Sequence, residues 1–536
     1  MYEIHDALYG DIVLSEEEAN LLNTWEVQRL RRIFQLGLAH LTFPNGVHTR
    51  FEHSLGTRFM VEHIIKTSRL SIDEEDIRCL YFASLLHDIS HPVLSHVTER
   101  LNELGYDIPS HEIMGPEMIS GTFRKKVIRD GFLNDYECSP SISDLLDPND
   151  KDRIIQILTG NNLDKPYLKD LIDGPIDADN LDYLRRDAYH IGLPRAFYDD
   201  RIYSSFVIGE KEGKEHILFR DSSDTISAIL SVLEARFWLT KIVYRHHTTL
   251  IGERMFLEAL DTGFNKKDAL KLFSYGDEEF FSFFKNQMRE KKDEETLKML
   301  TDITNRRLYK RAFVTNRRFN EKTLNSAIQE NERTGLKDVR EEIARKAELD
   351  IQEILIDPPK PSKWKEDFDV LLNSDQPKTL SNYVGEELKT LKEQYKSTEI
   401  FAIYLNSKSK DTINYSKKIS DYCKRRDWEG YYEPKDPLEV IANKQYKVKW
   451  VIDGVRKEKK ASLDILKTFM ETEGFLTRKL LGHKNSIKET TVSQYIGYLE
   501  KKFKTNGIRI FDVEREGGAK KWKIKKEIKN HLKMII

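Results

Sequence analysis

The stretch Ser84–His96, S-L-L-H-D-I-S-H-P-V-L-S-H, decides the fold of this chain. Apolar residues recur at helical spacing in and just before it, namely Tyr81, Phe82, Leu85, Leu86 and Ile89. That spacing predicts a buried helix. The same helix carries His87 and Asp88, followed closely by His91 and His96. Because a buried carboxylate is costly unless it is paired or bound to a metal, we expect a divalent cation here, with further ligands from elsewhere in the chain.

Two other segments supply candidates for those ligands. His53 lies in the run R-F-E-H-S-L-G at residues 50–56, and Asp179 lies in an aspartate-rich run at residues 176–187. Taken alone, the pair His87 and Asp88 would be a surface coincidence, His53 a core histidine and Asp179 a helix N-cap. Together, two imidazoles and two carboxylates suit Mn, Fe, Mg or Zn. Such an ion lowers the pKa of bound water and makes a nucleophile available at neutral pH.

Composition indicates a soluble protein of more than one unit. The 536 residues are 39% hydrophobic and 33% charged, with a formal net charge of -2, and two or three structural units are expected. No run approaches the roughly 18 consecutive apolar residues of a membrane span. The N-terminal residues show no signal-peptide pattern, and the three cysteines are far apart in the chain. We therefore expect a cytoplasmic protein that does not bind membranes.

The remaining pattern predicts a mainly α fold with small β elements. Helical periodicity runs through Val27–Leu38, Tyr81–Leu104 and Thr225–Leu260. Strands are predicted at residues 217–219, 351–356 and 399–405. A first region is accordingly placed at residues 1–425, followed by a linker at 426–460.

Residues 461–536 are predicted to form a separate winged-helix-like module. Three helical patterns precede two strand-like runs joined at Gly517-Gly518. The segment contains 17 Lys and Arg against 9 Asp and Glu, whereas the whole chain is slightly acidic. This asymmetry favours an acidic or nucleic-acid partner, although many winged helices contact proteins and lysine-rich termini are often simply solvated.

These motifs resemble those of the HD-domain metallohydrolases, whose signature is H…HD…D. More narrowly, the chain is similar to the deoxynucleoside triphosphate (dNTP) triphosphohydrolases typified by the animal SAM-and-HD-domain enzymes. The resemblance covers about the first four-fifths of the chain and leaves out residues 461–536. The matching runs are Gln28–Arg31, Gln35–Gly37, Phe43–Pro44, His48–Gly56, His87–His96, Asp177–Asp187 and Arg306–Lys310.

The resemblance implies an HD helical core, a divalent cation and a dNTP substrate, cleaved to a deoxynucleoside and inorganic triphosphate. The implied metal ligands are His53, His87, Asp88 and Asp179. The implied phosphate contacts are Arg50, His91, His111, Tyr183 and Arg236. His96, supported by Glu99, is the implied general acid toward the 5′-oxygen. In the implied sugar pocket, Gln35 and Asp187 hold the 3′-hydroxyl, and Leu36 and Tyr244 crowd the 2′ position.

The resemblance also implies regulation by a nucleotide and a homo-oligomer, either a dimer or a tetramer. Gln28 and Arg31 match two residues of the activator pocket, but Asn23 replaces an aspartate that reads guanine. An amide accepts the two guanine N–H groups only in part, so we expect an activator other than GTP, or none. Two substrate-side positions also depart from the pattern, with Asn180 in place of a lysine and Thr240 in place of a histidine.

Two alternatives to a dNTP triphosphohydrolase remain open. One is an HD-type phosphodiesterase or nuclease that acts on a cyclic nucleotide or single-stranded nucleic acid; the basic C-terminal segment favours it, and the sugar-pocket residues argue against it. The other is a nucleotide sensor that binds without catalysis, which the complete set of four metal ligands argues against.

Overall fold

The structure is a computed structural model of the chain. It describes residues 2–104, 106, 108–109, 111–317, 320–359, 371–373, 378–406, 412–429 and 431–432, and the short stretches 476–477, 496, 499, 511–516 and 519–524. The chain divides into two compact units, of which the first comprises Met1–Ser409 and Asp421–Tyr431 and the second comprises Lys410–Ser420 and Tyr432–Ile536.

Helices make up most of the described chain, which confirms the mainly α prediction. The α-helices are α1 (Glu16–Leu22), α2 (Trp25–Arg29), α3 (Arg50–Ser68), α4 (Glu74–Leu86), α5 (His96–Glu99), α6 (His111–Ile119), α7 (Thr122–Arg129), α8 (Ile142–Leu145), α9 (Pro148–Thr159), α10 (Tyr167–Asp170), α11 (Ala178–Ile191), α12 (Ser223–Leu239), α13 (His247–Gly263), α14 (Asp277–Lys291), α15 (Glu294–Thr304), α16 (Glu321–Thr334), α17 (Lys337–Ala347), α18 (Ser381–Lys396) and α19 (Thr412–Arg425). A π-helical turn, Thr240–Tyr244, follows α12, and 3-10 turns occupy Leu30–Arg32, Gly37–Leu41, Arg100–Leu104, Pro194–Ala196, Asp200–Ser204, Lys266–Phe273 and Ile351–Glu353.

The β elements are small and lie apart from one another in sequence. The strands are β1 (Tyr2–Asp6), β2 (Gly10–Leu14), β3 (Phe206–Lys211), β4 (Lys214–Arg220), β5 (Lys310–Asn316), β6 (Ile354–Asp357), β7 (Leu371–Asn373), β8 (Lys378–Thr379), β9 (Ile400–Leu405), β10 (Tyr431–Tyr432), β11 (Leu476–Thr477), β12 (Phe511–Glu516) and β13 (Ala519–Ile524). β1 and β2 form an antiparallel hairpin, and β9 lies between β5 and β6, antiparallel to both. β3 and β4 form a second hairpin, which β7 extends in parallel and β8 continues.

The centre of the first unit is a helical core in which α3 packs against α4 and α11. Buried side chains such as Phe51 and Leu55 on α3 and Leu85 on α4 join one continuous apolar cluster. Burial of this apolar surface stabilises the three helices against each other. Because these helices also carry the candidate ligands, the packing of the core positions the site.

One predicted helix is wrong. The apolar spacing of Val27–Leu38 suggested a single helix, but α2 ends at Arg29 and the chain becomes extended at Ile33. Phe34 then forms a β-bridge with Thr49, and the Gln35 N–H donates to the backbone oxygen of His48 at 2.9 Å. Contacts to distant segments therefore override the local helical pattern.

The helix predicted through Leu104 is also interrupted. α4 ends at Leu86, His87 is its C-cap, and a turn-rich loop runs from Asp88 to Ser95 before α5 begins. Pro92 has no backbone N–H to donate, which is typical of such a break. The loop places His91 on irregular backbone and His96 at the first residue of α5, so that neither lies on the long helix.

In the second unit, β12 and β13 pair antiparallel from Phe511 opposite Ile524 to Glu516 opposite Ala519, and β11 lies on the other side of β13. The pairing agrees with the predicted C-terminal hairpin. The predicted module helices and the linker at 426–460 lie mostly outside the described residues, so the winged-helix module and the boundaries 1–425, 426–460 and 461–536 stay predictions. None of the helices described is both long and apolar enough to cross a bilayer.

Candidate metal centre and active site

Three helices deliver the four predicted metal ligands. Thr49 caps the N-terminus of α3 by accepting a hydrogen bond from the Glu52 N–H, and His53 lies one turn further on. His87 and Asp88 follow directly from the end of α4. Asp177 caps α11, which places Asp179 in the first turn of that helix.

The four side chains converge on a small volume. The Nε2 atoms of His53 and His87 are 3.2 Å apart, and Asp179 Oδ1 lies 2.8 Å from the first and 3.7 Å from the second. Asp88 places one carboxylate oxygen 3.7 Å from His53 Nε2 and the other 3.6 Å from His87 Nε2. The structure therefore brings together all four residues that the resemblance implies.

The outer nitrogen of each imidazole fixes its tautomer. His87 Nδ1 lies 2.8 Å from the carbonyl oxygen of Ser84, and His53 Nδ1 lies 2.8 Å from Asp182 Oδ2. Both partners accept hydrogen bonds, so each Nδ1 carries a hydrogen, and a ring that binds a cation in its neutral form would present the lone pair of Nε2 to it. Two lone pairs 3.2 Å apart beside two carboxylates repel unless a positive charge lies between them.

The pKa values of His53 and Asp179 also indicate that the cluster attracts positive charge. Burial alone would lower the pKa of His53, but the carboxylates of Asp179 and Asp182 outweigh it and raise that pKa to about 10. Burial would also raise the pKa of Asp179, yet His53 and His87 hold it below its usual range. The pocket thus attracts positive charge strongly. Two imidazoles and two carboxylates in this arrangement fit a divalent cation, and the donor set is compatible with Mn, Fe, Mg or Zn.

A second layer of charges holds the cluster in place. Asp182, which bonds His53, is also paired with Arg186, and Arg186 Nη1 donates to Asp6 Oδ2 at 2.8 Å. All are buried, and Arg186 with His53 lowers the pKa of Asp182 to about 2 against the effect of burial. Gly56 on α3 lets α11 come this close, because a Cβ there would overlap the Asp182 carboxylate.

Arg50 and His91 also contact Asp88. Arg50 Nη1 donates to Asp88 Oδ2, its Nε donates to Ser95 Oγ at 2.7 Å, and His91 Nε2 lies 3.0 Å from Asp88 Oδ1. Burial and the nearby Arg50 lower the pKa of His91 to about 3, so its imidazole is neutral at neutral pH. These two residues therefore adjoin the metal cluster, and their role as phosphate contacts stays a prediction.

The predicted proton donor, His96, lies next to His91 and Glu99. The side chain of His96 is 66% exposed, its Nδ1 is 3.1 Å from Glu99 Oε2, and its ring meets that of His91 edge-on with centroids 5.1 Å apart. His111 begins α6, but its side chain lies outside the described part of the chain. The geometry therefore joins His96, Glu99 and His91 and leaves the position of His111 a prediction.

The predicted sugar pocket is built around Asp187. One of its carboxylate oxygens lies 2.7 Å from His48 Nε2, and the other accepts a hydrogen bond from the Tyr244 hydroxyl at 2.5 Å. Leu36 follows Gln35 at the start of the 3-10 turn Gly37–Leu41. The side-chain oxygen of Gln35 is buried and accepts no hydrogen bond from any described residue.

Arg236 lies among aromatic hydroxyls. Burial would lower its pKa, but Tyr183, Tyr395, Asp177 and Tyr244 raise it above the ordinary range.

The two substrate-side positions that depart from the family pattern, Asn180 and Thr240, each have a hydrogen-bond partner within the chain. The side-chain amide of Asn180 donates to Asp177 at 2.6 Å, and the Thr240 hydroxyl lies 3.0 Å from that of Tyr395.

The three predicted activator residues lie at the surface near α1 and α2. Asn23 is the C-cap of α1, and the Gln28 amide donates to the carbonyl of Leu22 at 2.8 Å. Arg31 Nε donates to Gln28 Oε1 at 3.0 Å, and its guanidinium stacks over the ring of Phe51 at 3.6 Å from the centroid. The segment is therefore ordered, and its nucleotide binding stays a prediction.

Several residues of the site escaped the sequence analysis. Asp182 could have been found, because it lies three residues after Asp179 on one helix and four before Arg186, spacings that bring side chains together. His48, Asp277 and Arg29 carry no such local signal, since their partners are distant in sequence.

Comparison with known proteins identifies two matching families. The sequence profile of the HD domain matches residues 50–157, and that of the HD associated region matches residues 216–424. The solved structure of a hypothetical protein from Aquifex aeolicus superimposes with a TM-score of 0.57 and 23% identity, covering 78% of this chain and 99% of that one. The fold is therefore shared with that protein.

Curated relatives match the chain at moderate identity. An uncharacterized protein of Methanocaldococcus jannaschii is 37% identical over 261 residues, which are 48% of this chain and 49% of the relative. An uncharacterized protein of Bacillus subtilis is 30% identical over 275 residues, 50% and 57% of the two chains. The deoxynucleoside triphosphate triphosphohydrolase SAMHD1 of Danio rerio is 28% identical over 288 residues, 48% and 44% of the two. The chain spans about half the length of these relatives.

Proposed function

We propose that this chain, which belongs to the HD-domain phosphohydrolase superfamily, hydrolyses deoxynucleoside triphosphates to a deoxynucleoside and inorganic triphosphate. One face of α11 carries the proposal. Asp179, Tyr183 and Asp187 are spaced four residues apart and share that face. Eight residues of helix span about 12 Å, a length that accommodates a sugar at Asp187 with its 5′-phosphate at the metal cluster.

At one end of this face, a divalent cation held by His53, His87, Asp88 and Asp179 would act as a Lewis acid and activate water. The chain's own cations, Arg50 and Arg236, would hold the phosphate oxygens in line. Removal of bulk water from such a buried site strengthens these charge interactions.

At the leaving-group side, His96 would protonate the 5′-oxygen as the bond from that oxygen to the α-phosphorus breaks. The water that forms the new bond to phosphorus loses its own proton to solvent. Glu99, 3.1 Å from His96 Nδ1, would orient the imidazole for this step.

At the other end, Asp187 and Gln35 would hold the sugar 3′-hydroxyl, whose single hydrogen one of the two would accept. The buried acceptor oxygen of Gln35, to which no described residue donates, favours such a donor. Leu36 and Tyr244 would fill the space beside the 2′ carbon. Because Tyr244 is already bonded to Asp187, it has little freedom to move aside for a ribose.

Product analysis tests the proposal. Metal-loaded protein is incubated with each dNTP, singly and in pairs, and the products are resolved by ion-exchange chromatography, with Asp179→Ala as the control. The expected products are deoxynucleoside and triphosphate, absent in the control. Release of pyrophosphate or single phosphate would contradict attack at the α-phosphorus. Absence of turnover would favour the phosphodiesterase or sensor, to be assayed with cyclic nucleotides and single-stranded DNA.

Three further features belong to the same proposal. The segment with Asn23, Gln28 and Arg31 would bind a nucleotide activator other than GTP, and full activation by GTP alone would contradict this. The protein would form a dimer or tetramer, which light scattering measures. The basic residues of 461–536 would contact nucleic acid, and a salt-sensitive affinity for DNA or RNA is the expected result.

A further inference from the structure

The backbone turn that precedes His96 is held in an unusual conformation. Leu94 has a φ of 52°, and Ser95 has a φ of 47° with a ψ of -118°. Neither residue is a glycine, and side chains with a Cβ rarely adopt these angles. Such strain persists only where the surrounding structure holds it, and it concentrates at functional sites.

Asp277, the first residue of α14, contacts this turn directly. Its Oδ1 accepts a hydrogen bond from the backbone N–H of Leu94 at 2.8 Å, and its Oδ2 accepts one from the N–H of Phe34 at 2.9 Å. The residue is only 2% exposed. One carboxylate therefore ties together two loops, one leading to His96 and the other to Gln35.

Two arginines stabilise the same loop from other sides. Fully buried Arg29 donates from Nη2 to the carbonyl oxygens of Ile89 and His91, each at 2.7 Å. Arg50 Nε donates a hydrogen bond to the hydroxyl oxygen of Ser95 at 2.7 Å. The carboxylate of Asp277 lies close enough to Arg29 to offset part of the cost of burying that cation.

We propose that Asp277 is a positioning residue that fixes the Leu94–Ser95 turn and thereby aims His96 at the leaving group. The inference rests on the role proposed for His96. Asp277 bonds backbone N–H groups, so it acts through the loop that it shapes. Its second hydrogen bond, from the Phe34 N–H, links the position of His96 to that of Gln35. It thereby also links His96 to the proposed sugar-binding site.

A pair of substrates isolates the proton-donor role. In one dNTP the leaving atom is the ordinary 5′-oxygen, and in the other sulfur replaces it. A thiolate leaves without protonation, whereas an alkoxide needs a proton, so only the oxygen substrate depends on a correctly aimed acid. The test variant is Asp277→Asn, which keeps the shape but turns one of the two acceptors into a donor.

For Asp277→Asn, we expect kcat on the oxygen substrate to fall about 10- to 100-fold and kcat on the sulfur substrate to change less than about threefold, with KM nearly constant. Asp277→Glu, which keeps the charge but displaces both oxygens, is expected to show the same selectivity. Equal losses on both substrates, no loss on either, or loss of the fold in both variants would overturn the proposal.

A matched control is Glu26→Gln. Glu26 is as deeply buried as Asp277 and accepts a hydrogen bond from the backbone N–H of Ile142 at 3.2 Å, but it bonds neither site loop. Its replacement is expected to leave both rates within about twofold, so that loss of a buried carboxylate is separated from loss of the tether.

A second readout needs no substrate. Hydrogen exchange of the Leu94 and Phe34 amides is expected to accelerate at least about tenfold in Asp277→Asn, and unchanged exchange would overturn the inference. If the wild-type protein cleaves no dNTP, the proposed function is refuted. The exchange rates would still decide separately whether Asp277 holds the turn.

Discussion

The proposed metal-ligand cluster and the proposed proton-donor pair of His96 and Glu99 are linked through His91 but are built differently. His53 is 1% exposed and fixed at its outer nitrogen by a buried carboxylate that is itself paired, whereas His96 is 66% exposed and bonded to Glu99. The cluster is thus set by side-chain pairing within the core. The direction of His96 depends on the backbone of a strained turn. If the proposed roles hold, such a site would bind its cation rigidly and would position its acid through a loop.

The largest expected effect comes from breaking the cluster. His53→Ala should lose the bound metal and reduce turnover by at least about a thousandfold, because one ligand and its charge network disappear together. Metal content by elemental analysis and turnover are measured on the same sample. His5→Ala, a histidine at the surface, is the control and should keep both. Full metal content in His53→Ala would contradict the assignment.

Removal of the proposed proton donor, His96, should leave the metal in place. His96→Ala is expected to lower kcat about 100- to 1,000-fold with wild-type metal content, since only the proton donor is removed. Elemental analysis and steady-state kinetics on one preparation separate the two effects. Loss of metal from this variant would show that His96 is a ligand, and the two regions would no longer be distinct.

A smaller effect tests the layer behind the cluster. Asp182→Asn keeps a partner for His53 Nδ1 but removes the charge that orients the ring and balances Arg186. Such partners typically account for 10- to 100-fold in metal affinity, and a decrease of about that size is expected in a competition titration with a chelator. An unchanged metal affinity would show that Asp182 does not contribute to metal binding and that the four ligands suffice without it.

The smallest effect concerns a carboxyl outside both regions. Burial raises the pKa of Glu26 to about 8, against an ordinary value of 4.5. Between these values the folded state holds a proton that the unfolded state has lost, so stability falls as the pH rises through this window. Glu26→Gln removes that dependence and should raise the Tm at pH 8.5 relative to wild type by about 2–4 °C. Little difference is expected at pH 5.

The same sequence that predicts the metal cluster says little about the loop. The four ligands could be predicted because each lies in a compact sequence motif on a helix or directly after the end of one. The helix at Val27–Leu38 was predicted wrongly and Asp277 was not predicted as a site residue for the same reason. The Phe34 N–H bonds a carboxylate 243 residues away, and no local periodicity encodes such a contact. The mainly α fold followed from helical spacing, and the HD core followed from the resemblance of the motifs. Neither predicted the interruption of the central helix at His87.

The chain of charges from Asp6 through Arg186 and Asp182 to His53 also bears on how this protein can be divided into fragments. The HD match begins at residue 50, whereas Asp6 lies in the first strand of the chain. A fragment cut at residue 50 would lose this partner of the buried Arg186, and it would also lose Arg29, which bonds the carbonyl oxygens of Ile89 and His91. The smallest piece that binds metal in the native manner therefore begins before the recognisable domain, at the β1–β2 hairpin.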